Sequence, residues 1–169
     1  FIIKKKFAKL FKPTHKVSVL SANIYRKPSS RAKQNKKLTF ASKVYAKEKY
    51  GSFIKFENQW IRTKDLKSIN YKDENIFSKI NLFKGKKYKW GGKNFNGIDC
   101  SALVQLFFNF NNKFCPRDTK DQLNYFKKKI KLQNIMRNDL IFWQGHVAIV
   151  LSKNKLIHSY GPSKKVLIM

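Results

Sequence analysis

The chain has 169 residues, 42% of them hydrophobic and 15% aromatic, enough for a packed core in one domain or two small ones. Two cysteines and the lack of any long apolar run exclude a disulfide framework and a helical membrane protein. With 38 Lys and Arg against 9 Asp and Glu, the formal net charge is +29. Such a charge suits non-specific contact with a polyanion such as nucleic acid, anionic lipid or an acidic wall polymer. The lysines are nevertheless spread through every segment, as a general compositional bias would also spread them.

Residues 1–14 are basic and mixed, and predict an arm or a first strand. Phe1-Ile2-Ile3 ahead of Lys4-Lys5-Lys6 inverts the order of a secretion signal. A cytoplasmic location is therefore expected, with the cell envelope as the alternative if a leader has been removed. From Lys16 to Ser68 short β-prone pieces alternate with turn residues: Val17–Leu20, Ala22–Tyr25, Leu38–Phe40, Lys43–Ala46, Phe53–Phe56 and Trp60–Thr63. That spacing predicts a small all-β barrel. Ala22-Asn23-Ile24-Tyr25-Arg26-Lys27-Pro28 and Asn58-Gln59-Trp60-Ile61-Arg62-Thr63 resemble a bacterial SH3-like domain, which with the arm would occupy residues 1–67. Trp60 reads as barrel core, and polar residues 68–75 read as a linker.

The second domain is expected over residues 76–169. A short helix is predicted from Glu74 to Leu82, then a tight loop at Tyr88-Lys89-Trp90-Gly91-Gly92. A buried helix begins at Cys100 and fades near Asn109–Asn112. A second is predicted to about Lys129, capped by Asp118 or Thr119, with Thr119-x-x-Gln122 fitting a capping box. Strands follow at Asp139–Trp143, Gly145–Leu151 and Lys155–Tyr160, with another beginning at Val166. Helices first and an antiparallel sheet afterwards give an α+β fold.

Cys100 stands at the first turn of a helix, where the dipole favours a thiolate, while Cys115 reads as a packed thiol. His146 and His158 lie twelve positions apart, and a hairpin centred on Ser152 would set them face to face across two strands. Nucleophile, base and orienting group are thus available for cysteine hydrolase chemistry. Two histidines and a thiol are too few for a zinc site, and neither Cys-x-x-Cys nor His-Glu-x-x-His occurs, so no metal or cofactor is expected.

The blocks Tyr88–Gly92, Gly97-Ile98-Asp99-Cys100-Ser101-Ala102-Leu103-Val104-Gln105, Pro116-Arg117-Asp118, Asp139–Trp143, Gly145-His146-Val147-Ala148-Ile149 and Leu156-Ile157-His158 resemble the NlpC family of cysteine peptidases. The resemblance implies a papain-like catalytic domain that cleaves peptidoglycan stem peptides between γ-D-glutamate and a diamino acid. Cys100 would be the nucleophile, His146 the base and His158 its orienting group. Tyr88 would join the Cys100 backbone N–H in stabilising the oxyanion. Trp90, Asp99, Ser101, Asp118 and Thr119 would line the substrate groove. An SH3-like domain ahead of the peptidase implies selection of peptides with a free N-terminal L-alanine, whose ammonium Asp118 would meet. Two family glycines are replaced here, by Ala102 and Asn138. The alternative is an inactive or acyl-transferring relative that binds wall polymer or nucleic acid through its positive charge.

Overall fold

The computed structural model describes residues 12–32 and 34–169, so most of the expected arm lies outside the described residues. Runs of β-branched and aromatic residues broken by turns make the first half a succession of short strands. These are β1 (His15–Val17), β2 (Ser21–Tyr25), β3 (Gln34–Thr39), β4 (Lys43–Val44), β5 (Ala46–Tyr50), β6 (Phe53–Phe56), β7 (Gln59–Arg62) and β8 (Leu66–Ser68). They form a three-stranded sheet, β4-β1-β8, and a five-stranded sheet, β3-β2-β7-β6-β5. Val17, Ala22, Ile24, Val44, Ile54, Ile61 and Leu66 enclose a core of their own. Trp60, expected inside it, is half-buried instead and meets the exposed Tyr50 edge-on, ring centroids 6.4 Å apart.

In the second half the helix expected over Glu74–Leu82 is replaced by turns and a 3-10 turn at Ile80–Phe83. The Asn75 side chain takes the Phe77 N–H at 2.9 Å, offering the backbone a local alternative to the helix. Helix α1 (Cys100–Phe110) forms where expected. Helix α2 (Thr119–Tyr125) stops short of Lys129, because only Gln122 along it is buried and little packing prolongs it. The remaining strands are β9 (Lys93–Asn94), β10 (Gly97–Ile98), β11 (Leu140–Trp143), β12 (His146–Ser152), β13 (Lys155–Tyr160) and β14 (Lys165–Ile168). The last four make an antiparallel sheet in chain order. Leu103, Val104, Phe107 and Phe110 of α1 share one core with Val147, Ile149, Ile157 and Val166 of that sheet. The whole is α+β. Among the described residues no helix is long and apolar enough to cross a membrane.

Phe40 and Lys16 of the first half reach into the second, where Leu20 and Ala41 also pack against the core. Phe40 is fully buried against α1, with ring centroids 4.9 Å from Phe107 and 4.7 Å from Phe110. Lys16 is also fully buried, and its ammonium donates to the Tyr71 and Phe110 carbonyls. Phe110 closes α1, so this lysine caps the helix end where the dipole favours a cation.

Candidate active site

The hairpin of β9 and β10 delivers the chain to the start of α1 through two close backbone approaches. A Cβ at Gly92 would lie 2.6 Å from the Gly97 carbonyl oxygen, and one at Gly97 would lie 2.6 Å from the Lys89 Cβ. Any side chain at either position would push this loop out of place. Asp99 follows as the N-cap of α1, its carboxylate accepting from the Ala102 N–H at 2.8 Å. Arg117 grips the same carboxylate with both guanidinium ends and donates to Ser101 Oγ at 2.9 Å. The pairing raises the Arg117 pKa above its ordinary value, chiefly through the bond to Asp99. Cys100 is thereby held at the first position of a capped, braced helix, only 6% exposed.

The thiol opens on a cavity of about 270 Å³ lined by Tyr88, Trp90, Asp118, Thr119 and Gly145, among others. Cys100 Sγ is 3.8 Å from Thr119 Oγ1. Burial raises the Tyr88 pKa, and the nearby Cys100 and Asp99 raise it further, so the phenol keeps its proton. Trp90 projects from the rim, 83% exposed. Asp118 occupies the N-cap position of α2, but its side chain makes no capping bond and stays exposed beside the cavity. The expected capping box is not formed. Gln122 is buried instead and donates to the Ser101 and Pro116 carbonyls at 2.9 and 3.0 Å, tying α2 to α1.

Gly145 walls the cavity immediately before His146, whose Nε2 lies 2.8 Å from His158 Nδ1. The two are not directly opposed, as a hairpin centred on Ser152 would require. Ile149 pairs with Ile157 and Val150 with Leu156, a register that, extended three residues along both strands, would set His146 against Tyr160. His158 is therefore one diagonal step away, within reach for rings of this length. The Tyr160 ring stacks on His158 at 4.8 Å and meets His146 edge-on at 5.7 Å. Burial lowers both imidazole pKa values, and with the neighbouring His146 charge it takes His158 down to about 4.

The structure thus gathers Tyr88, Trp90, Asp99, Cys100, Ser101, Asp118 and Thr119 around one cavity, and joins His146, the residue after the lining Gly145, to His158. Sequence reasoning passed over Arg117 as a brace and Gln122 as a tie. A single arginine close in sequence to a helix-capping aspartate's partner loop carries no local periodicity to signal it. Cys115 is buried, and burial pushes its thiol up to about 12, so it is a poor nucleophile.

Residues 85–169 match the model of the NlpC/P60 family. Over 86 residues the chain is 31% identical to dipeptidyl-peptidase 6 of Lysinibacillus sphaericus, spanning 51% of this chain and 32% of that protein. It is 31% identical over 112 residues to murein DD-endopeptidase MepS/murein LD-carboxypeptidase of Escherichia coli K12, spanning 62% of this chain and 54% of that protein. The chain thus matches between a third and about half of these relatives' lengths. In fold it resembles an NlpC/P60 family protein from Bacillus cereus ATCC 10987, with a TM-score of 0.78 and 22% identity. That likeness covers 93% of this chain and 57% of the other, so it extends over the all-β half.

Proposed function

The chain belongs to the NlpC/P60 family, and on that premise we propose that it is a cysteine endopeptidase acting on peptidoglycan stem peptides. The bond cleaved joins the γ-carboxyl of D-glutamate to a diamino acid. The observation that carries the reading is the bonded His146–His158 pair, which follows directly on Gly145 in the lining of the cavity onto which Cys100 opens.

In this account the Cys100 thiol gives its proton to His146 and attacks the scissile carbonyl carbon. Nε2 of His146 is committed to His158, so Nδ1 is the nitrogen that takes the proton. The oxyanion that forms is met by the Tyr88 phenol and the Cys100 backbone N–H, donors that act as charge develops. His146 then protonates the leaving amine, and a thioester remains on Cys100. Water, deprotonated by His146, attacks the thioester carbonyl; the C–S bond breaks, His146 returns the proton to the Cys100 sulfur, and the new carboxylate is released.

Trp90 and Thr119 bound the substrate's path, and Asp118, with no capping duty for its side chain, is free to meet a peptide's terminal ammonium. Asp99 and Ser101 border the same cavity, and their role is to hold the thiol's helix in place through Arg117. We read the all-β half as SH3-like from its short antiparallel strands and the separate core they enclose. Short peptides released from the wall are the substrates that suit a free-amine requirement. Non-specific polyanion contact through the net charge of +29 is the second reading, and it needs no chemistry at Cys100.

Incubation with L-Ala-γ-D-Glu-diaminopimelate tests the proposal. Release of L-Ala-γ-D-Glu supports it, and products from other bonds would move it toward the activities for which the E. coli relative is named. An N-acetylated version of the peptide tests the Asp118 role: it should be cut at least tenfold more slowly.

A further inference from the structure

The histidine pair does not end at His158. On its far side His158 Nε2 lies 3.1 Å from the sulfur of Met169. His158 stands opposite Leu167 on β14, so Met169, the residue after that strand, is one diagonal step further on. His146, His158 and Met169 therefore form a diagonal row across three neighbouring strands. We infer that Met169 is a positioning residue for the proposed base, its thioether selecting the tautomer of His158 that leaves His146 Nδ1 unprotonated.

A thioether sulfur carries no proton and can only accept. His158 Nε2 therefore meets it favourably only as N–H, which leaves Nδ1 of the neutral ring as an acceptor. That lone pair faces His146 Nε2, which must then hold its own proton to donate across the 2.8 Å bond. The neutral His146 ring has only one proton to place, so Nδ1 is left bare and basic. The opposite tautomer of His158 would set a nitrogen lone pair against the sulfur. It would also oblige His146 Nε2 to accept, and Nδ1 would carry the proton. Such a ring could not take one from a thiol.

The surroundings remove competing arrangements. His158 is 5% exposed, which leaves solvent little access to the ring. The stacked Tyr160 ring holds the imidazole plane. Met169 is fixed by its backbone, which exchanges bonds of 2.8 and 3.0 Å with Leu156. Its own side chain is 61% exposed, so a substitution there empties no core. The low pKa of His158 keeps the ring neutral, and so tautomeric, at any neutral working pH.

The inference rests on the peptidase reading for its consequence, but its first test needs no substrate. In protein labelled with 15N-histidine, NMR should find His158 protonated at Nε2 and bare at Nδ1. Met169→Leu should shift His158 toward a mixture of tautomers and lower kcat about fivefold, the scale of one lost modest hydrogen bond, with KM unchanged. Met169→Gln, whose amide oxygen can accept in place of sulfur, should restore both the tautomer and kcat to within about twofold. A His158 protonated at Nδ1 in the unaltered protein would overturn the inference, as would a Met169→Leu variant with unchanged tautomer. Should the protein cleave no peptide at all, the functional reading fails, and the tautomer measurement still decides the inference.

Discussion

His146 and His158 are joined at 2.8 Å because β12 carries one extra residue, Leu151, that its partner strand does not match. Ser152 pairs with Lys155, but Val150 pairs with Leu156, so two steps on β12 answer one on β13. Without the bulge the tight-turn register would continue unbroken. Because side chains alternate faces along a strand, the two histidines would then fall on opposite sides of the sheet. The bulge restores the parity that puts both imidazoles on one face.

Deleting Leu151 removes the bulge but keeps Val150 against Leu156, so both imidazoles stay on one face and turnover should survive, as it should in Leu151→Ala to within about threefold. Leu151 is half-buried, so the alanine variant should cost about 1–2 kcal/mol of stability. Peptide cleavage assays with circular dichroism on both variants check this. A deletion variant that folds but is inactive would show that the pairing of Val150 with Leu156 does not set the pair.

Arg117 binds the Asp99 carboxylate and Ser101, so its loss leaves a largely buried carboxylate unpaired at the start of α1. Arg117→Ala should destabilise the protein by about 2–3 kcal/mol, seen as a lower urea midpoint with an unchanged slope. Turnover should fall with it, as the helix start that positions Cys100 loosens. Arg117→Lys cannot reproduce the two-pronged grip and should recover only part of either loss.

The folded-state pKa of His158, about 4, lies well below the ordinary 6.5. Between those values the unfolded chain takes a proton that the folded chain refuses. Stability should therefore be fully present above pH 6.5 and fall as the pH drops toward 4. The lowered pKa of His146 acts in the same direction. Urea midpoints from pH 7 to 4.5 should fall more steeply for the unaltered protein than for His158→Asn. Equal slopes would contradict the burial-driven shift.

The parts of this site that could be read beforehand were local. Cys100 at a helix start follows from the glycines, the capping Asp99 and the apolar run behind them, all within a dozen residues. The strand pattern of the first half was legible for the same reason, since alternation and turn residues are near-neighbour signals. What escaped was settled at a distance. The centre of the β12–β13 hairpin depends on a bulge that no residue announces, since Leu151 looks like one more apolar position of a strand. The 3-10 turn at Ile80–Phe83 arose because Asn75 captured a backbone donor that a helical reading assigns elsewhere. Arg117, Gln122 and Met169 each act through a partner brought close by the fold, so composition and spacing carried no trace of their roles.

Lys16 joins the first half of the chain to the end of α1 by donating to the Tyr71 and Phe110 carbonyls from a fully buried position. Lys16→Ala leaves those carbonyls without this partner and should cost about 2–3 kcal/mol. Lys16→Met, which keeps the volume, should cost less. Thermal unfolding of both variants measures the difference, and a neutral Lys16→Ala would show that the tether contributes nothing.

The most direct test is cleavage of L-Ala-γ-D-Glu-diaminopimelate with and without prior iodoacetamide, read by mass spectrometry together with the site of alkylation. The account predicts release of L-Ala-γ-D-Glu, its loss after alkylation, and a label on Cys100 while Cys115, its thiol held protonated by burial, stays unmodified. The Cys100→Ala variant should fold and be inert. Cleavage that survives complete alkylation of Cys100, or that persists in Cys100→Ala, would contradict the thioester mechanism.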